Sequence, residues 1–244
     1  MHNQLENPTA IINKPQIFSS CLANLAIGYT KYEQYQRSME VYHRIKNLYT
    51  EFKIKRTIQA ETIIYSDAAN TLLELVNKRG HKQEERKWID EIKDNLNKFK
   101  VSAVYLEFLR LYFNLAHYYF IEKEYKLSNK YIQLFMNEWK ENSRNDLFIA
   151  LSFMQLCIFY GNKELDQISY ALPRIKRKLT KLESLNESEK QVITFFDRII
   201  NESSEKMTKE HFQKLTLFLK RNSGGHVIWL ESFGLVNWLN KLTG

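Results

Sequence analysis

Residues 103–121 read Ala-Val-Tyr-Leu-Glu-Phe-Leu-Arg-Leu-Tyr-Phe-Asn-Leu-Ala-His-Tyr-Tyr-Phe-Ile, and this stretch decides the fold. Its polar members Glu107, Arg110, Asn114 and His117 recur at steps of three, four and three, so on a helix they form one narrow polar stripe on an otherwise apolar cylinder. Such a helix needs neighbours on most sides. Two formal charges near its middle, and the lack of a second apolar run of that length, argue against a membrane span. The expectation is the inner layer of a helical stack, with the stripe facing a solvent-filled groove.

Apolar residues keep helical spacing on both sides of this stretch. They predict helices over 16–31, 35–52, 58–77 and 84–99 before it. After it they predict helices over 125–140, 146–160 and 165–182, one opening near Asn186, one near Thr208 and one over 227–242. That makes eleven helices and no strand, an all-α fold. Residues 1–14 read as a loose lead-in that ends at Pro15, a residue suited to a first helical turn. Lys78-Arg79-Gly80 reads as a basic last turn with a glycine stop. Asn186 with Glu189, or Ser188 with Gln191, offers a capping box. Pro173 predicts a kink or a short break around 169–172. Asn222-Ser223-Gly224-Gly225 predicts a turn, and Gly234 a weak point in the last helix, whose face carries Trp229 and Phe233.

Composition agrees with a long helical array. With 3 Pro and 7 Gly in 244 residues there is little turn punctuation, and 15 Phe, 14 Tyr and 4 Trp supply a large core. Cys21 and Cys157 each sit among apolar residues of a predicted helix and read as free, buried thiols rather than a disulfide framework. The N-terminus shows no basic region followed by an apolar run, which gives a cytoplasmic expectation. A formal charge of +8 favours acidic partners and permits nucleic-acid binding without demanding it.

The chain also repeats itself. Asn24-Leu25-Ala26 matches Asn114-Leu115-Ala116 at an offset of 90, and Tyr29, Tyr35 and Ser38 then fall on Tyr119, Tyr125 and Ser128. An offset of 41 sets Leu115, Ala116, Tyr119 and Ser128 over Leu156, Cys157, Tyr160 and Ser169. Periods of this size mark solenoids. Ala26, Ala116 and Cys157 are small where two helices must approach, and the tyrosines fill the space beside them.

This pattern resembles the tetratricopeptide repeat over residues 16–182. The resemblance implies a right-handed α-solenoid of antiparallel helix pairs. Residues 15–183 then form the repeats, and 184–244 form a C-terminal helical pair plus a capping helix in the same continuous domain. It also implies a non-catalytic scaffold that binds a protein or peptide in its concave groove. Oligomeric state stays open. On this reading Asn24, Glu107, Arg110, Asn114, His117 and Gln155 line the groove. Some members of the family clamp a C-terminal carboxylate with groove Asn and Lys residues, and Asn24 and Asn114 look like that Asn. The fourth inner helix has Leu151, Met154 and Gln155 where the basic partner would stand, so an apolar or mixed peptide lying on Met154 and Ile158 is the better expectation.

No chemistry beyond binding is legible. The six histidines and two cysteines have no metal-ligand spacing, and neither a phosphate loop nor a nucleophile motif occurs, so no metal, cofactor or enzyme activity is expected. Arg174, Arg177, Lys178 and Lys181 form one basic face after Pro173. A solvated surface is the ordinary reading of such a face, and a scaffold for nucleic acid or another polyanion is the alternative function. The sequence shows no aromatic interleaving with it.

Overall fold

Helical periodicity governs all of the chain that the computed structural model describes, residues 8–80, 82–100, 105–141, 143–183, 185–202, 204–221 and 234–243. Among these residues there are twelve α-helices and no strand. The chain divides into two compact units, Met1–Lys123 and Glu124–Gly244. The division falls in the turn between Ile121 and Tyr125.

The first unit holds α1 (Pro8–Asn13), α2 (Pro15–Lys31), α3 (Tyr35–Phe52), α4 (Ile58–Arg79), α5 (Arg86–Lys100) and α6 (Tyr105–Ile121). Residues 8–13, expected to be loose, form a short helix because Ile11 is buried in a cluster with Phe18, Leu22, Ile45, Leu48 and Ile64. The added helix accounts for twelve rather than eleven. At the centre lies α4, which packs on α2, α3, α5 and α6. Thr57 caps it by accepting the Ala60 N–H at 3.2 Å. It stops at Gly80, whose φ of 90° a side chain would strain. Beyond the stop, Arg79 holds both oxygens of the buried Glu85 carboxylate at 2.6 Å, and Glu85 also accepts the Lys82 N–H.

The second unit holds α7 (Tyr125–Glu138), α8 (Asn145–Gly161), α9 (Leu165–Lys181), α10 (Glu187–Asn201), α11 (Glu205–Arg221) and α12 (Leu235–Thr243), each packed on the next. Phe212 gathers the rings of Tyr160, Phe195 and Trp238 around itself at centroid distances of 4.8 to 6.1 Å, which ties α8, α10, α11 and α12 into one core. Asn186 caps α10 by accepting the N–H groups of Ser188 and Glu189. Gly161 ends α8 where the Tyr125 ring would lie 3.0 Å from any added Cβ, so a larger residue would press on that ring. Pro173 does not break α9. It lies on an exposed face beside exposed Ser169, where the carbonyl that loses its donor is open to solvent. Gly234 precedes α12 instead of weakening it, and residues 222–225, Trp229 and Phe233 lie outside the described residues. Cys157 is buried as expected, but Cys21 is exposed because it lies off the buried face of α2.

Three joints share one geometry. Glu33, Lys123 and Lys163 each take φ near 60° directly after a helix. Gln34, Glu124 and Glu164 follow at φ −81° to −91° and ψ 59° to 61°. At the first and third joints the N–H groups of Gln34 and Glu164 reach back to Tyr29 and Phe159, and those of Glu33 and Lys163 reach Thr30 and Tyr160, which is a Schellman motif. The last two joints are 40 residues apart, not 41. Burial agrees, since Ser128, Tyr131, Ile132 and Phe135 match buried Ile168, Ala171, Leu172 and Ile175, while Ser169 is exposed. The register read from identities was therefore one residue out.

The left-handed position disfavours any residue but glycine by about 1 kcal/mol, partly offset by the greater freedom glycine has when unfolded. Lys163→Gly is thus expected to stabilise the chain by about 0.5 kcal/mol, read as a small rise in Tm. A lower Tm would show that the lysine side chain is needed at the joint.

Candidate binding cleft

The polar stripe of α6 meets a second stripe. On α4, Asp67, Asn70, Glu74 and Asn77 follow the same three-four-three spacing and lie against it. The Asn114 side-chain amide donates to Asn70 Oδ1 at 3.0 Å, and Asn77 donates to the Asn114 carbonyl at 3.0 Å. Asn70 donates to the Glu107 carbonyl, and Arg110 forms an ion pair with Glu74 through Nε and a terminal nitrogen. Asn114 and His117 are 2% and 7% exposed.

Instead of facing a solvent-filled groove, then, Arg110 and Asn114 meet Glu74 and Asn70 in a seam between α4 and α6, and His117 is buried on the same helix. Burial pushes His117 down to about 4. It also raises Asp67 to about 6, although Ser20 donates to the carboxylate at 3.0 Å. Asn24 is exposed on α2.

An open site lies in the second unit instead. There α7 and α9 flank α8 and leave a cleft of about 750 Å3. Phe148, Ser152, Gln155 and Phe159 of α8 form its floor at steps of four, three and four, one face of a helix. Gln155 donates its amide to Asn129 of α7 at 2.9 Å, which leaves its carbonyl oxygen to accept. Arg174, Arg177, Lys178 and Lys181 all line the α9 wall. The basic face and Gln155, two separate expectations from sequence, thus meet in one place. Met154 and Ile158 do not: both are buried, so no peptide can lie on them.

Glu141 is the one acidic residue in the described lining. Lys178 and Lys181 donate to it at 2.6 and 3.0 Å and hold its carboxyl below the usual range. Arg174 and Arg177 make no ion pair among the described residues, so the cleft carries four cations against one carboxylate. Aromatic rings do interleave with these cations, contrary to the sequence reading. Arg174 lies over Tyr170 at 5.7 Å and Lys178 over Trp139 at 4.9 Å. Tyr170 stands four residues before Arg174, a spacing that was visible; Trp139 enters only through tertiary packing.

Trp139 is also stacked on Phe148 at 4.3 Å, and its indole N–H reaches the Ser143 carbonyl. No cluster of three or more His, Cys, Asp or Glu side chains able to hold a metal ion occurs among the described residues, and no described helix is long and apolar enough to cross a membrane. Compared with known proteins, the chain matches no family model, no curated protein and no solved structure.

Proposed function

We propose that this chain is a non-catalytic scaffold whose α7–α8–α9 cleft takes an acidic segment of a protein partner. The convergence of Arg174, Arg177, Lys178 and Lys181 on a cleft with a single carboxylate carries this reading. Cations gathered along one wall attract and orient a carboxylate-bearing chain. Gln155 on the floor offers an acceptor for a backbone N–H group, and half-buried Phe159 offers apolar contact.

The reading keeps the tetratricopeptide-like architecture, a right-handed solenoid of antiparallel pairs, as part of the proposal. Its support is the recurrence of one joint geometry at Glu33, Lys123 and Lys163. An exposed thiol at Cys21 fits a reducing compartment, which supports the cytoplasmic expectation.

Single-stranded nucleic acid is the second reading, favoured by the rings among the cations. Base stacking needs open ring faces. Trp139 is already engaged by Phe148 and Lys178, whereas Tyr170, at 69% exposure, offers one platform beside its arginine. An acidic peptide fits this better.

The test compares a glutamate-rich peptide containing leucine with a single-stranded oligodeoxynucleotide by fluorescence anisotropy. The peptide is expected to bind more tightly, and Arg174→Ala with Arg177→Ala to weaken it by about tenfold or more without lowering Tm, since both side chains are exposed. Tighter oligonucleotide binding that falls steeply with salt would replace the peptide reading by the polyanion one.

A further inference from the structure

The first unit has a cleft of its own, formed where α3 and α5 both pack on α4 and leave a gap of about 280 Å3 between them. Its floor is Ala68 of α4, too short to fill the space. The walls are already set. Tyr65 stacks on Phe99 at 4.5 Å and donates its hydroxyl to the Ile92 carbonyl. Toward the other end Trp88 leans on Tyr42 at 5.9 Å, and a 2.7 Å ion pair from Lys46 to Glu91 ties α3 to α5. Rings locked on one another lose little freedom when a guest enters, so a preformed aromatic slot of this size favours a small planar molecule over a peptide.

Polar groups line the cleft as well. Tyr49 lines it, and its hydroxyl is buried with no hydrogen-bond partner among the described residues. A buried donor without an acceptor is costly and calls for one. Arg56 lies over the Tyr49 ring at 5.0 Å and is engaged by Glu61 at 3.3 Å. Lys98, beside Phe99, makes no ion pair among the described residues. Both carboxylates of the lining, Glu61 and Glu91, already hold a cation, so the charge left over is positive.

We propose that the α3–α4–α5 cleft binds a small planar aromatic carboxylate, its ring over Ala68 between the aromatic walls and its carboxylate on the Tyr49 hydroxyl and the Lys98 ammonium. Burial raises the Tyr49 phenol to about 12, so it stays a neutral donor across the physiological range. No residue of this cleft belongs to the cleft of the second unit, and the two sites are read separately.

The full chain is titrated with 1-naphthoate and, in parallel, with neutral 1-naphthamide, by calorimetry and amide chemical shifts. Naphthoate is expected to bind saturably, with shifts centred on Tyr49, Tyr65 and Phe99, and at least about tenfold more tightly than the amide. Tyr49→Phe and Lys98→Gln are each expected to lower naphthoate affinity by about tenfold and to leave the amide nearly unchanged. Ala68→Leu, which fills the floor, is expected to abolish binding of both. Should that variant fold poorly, the Tyr49 and Lys98 variants decide alone. Equal affinity for acid and amide, shifts centred elsewhere, or naphthoate binding indifferent to Tyr49 and Lys98 overturns the assignment.

Discussion

Asp67→Asn is expected to raise the unfolding free energy by about 3 kcal/mol above about pH 7 and to change it little below about pH 3.5. Burial against α2 and α6 lifts the Asp67 carboxyl from 3.8 to about 6. Between those values the folded chain binds the proton that the unfolded chain releases, so stability falls as pH rises through the window. Asn cannot ionise and keeps the acceptor for Ser20, so it holds the low-pH plateau.

His117 works in the opposite sense. Burial lowers it from 6.5 to about 4. Between those values the unfolded chain binds the proton that the folded chain refuses, so stability rises with pH by about the same 3 kcal/mol. The two slopes nearly cancel between pH 4 and 6, the range that both shifts cover. The natural chain should therefore show a nearly flat profile there. Asp67→Asn should expose a rising limb, and His117→Gln a falling one. Denaturant unfolding across that range reads all three, and profiles of unchanged shape in both variants would mean that neither group titrates as a buried group.

Asn114→Leu is expected to cost about 2 to 4 kcal/mol, because Asn70, itself 2% exposed, is left with a buried carbonyl oxygen that has lost its donor. Adding Asn70→Leu should recover most of that loss, since removing both partners leaves far less unsatisfied. A double-mutant cycle on Tm and urea midpoint measures the coupling. If the two losses simply add, the amide pair carries no energy of its own and the seam is held by its apolar flanks.

How much of this was legible follows from where the signal stood out. The stripe Glu107, Arg110, Asn114 and His117 is conspicuous on an apolar helix, whereas its partner Asp67, Asn70, Glu74 and Asn77 is hidden among Thr62, Ser66 and Thr71 on the same α4. Spacing revealed one half of the seam, but not that the other half existed, so buried groups were read as groove-facing. Long helices were legible because their apolar faces recur over several turns; six residues of α1 with Ile11 turned inward make no such pattern. The identity of Ser128 with Ser169 pulled the repeat register one residue off, while burial of Ile168 sets it. The basic face of α9 was plain, but its cleft required Phe148 from α8 and Trp139 and Glu141 from the connection between α7 and α8.

The joints at Lys123 and Lys163 have a consequence for how such a chain changes length. The block from Glu124 to Lys163 begins and ends on the same backbone torsions, with an αL residue before the block and another at its close. A tandem copy of that block, spliced between Lys163 and Glu164, would meet both neighbours at a joint they already use. Growth or loss by a whole block leaves each connector as it was, while an insertion of any other length must invent a new one. Glu33 makes the same joint ahead of α3.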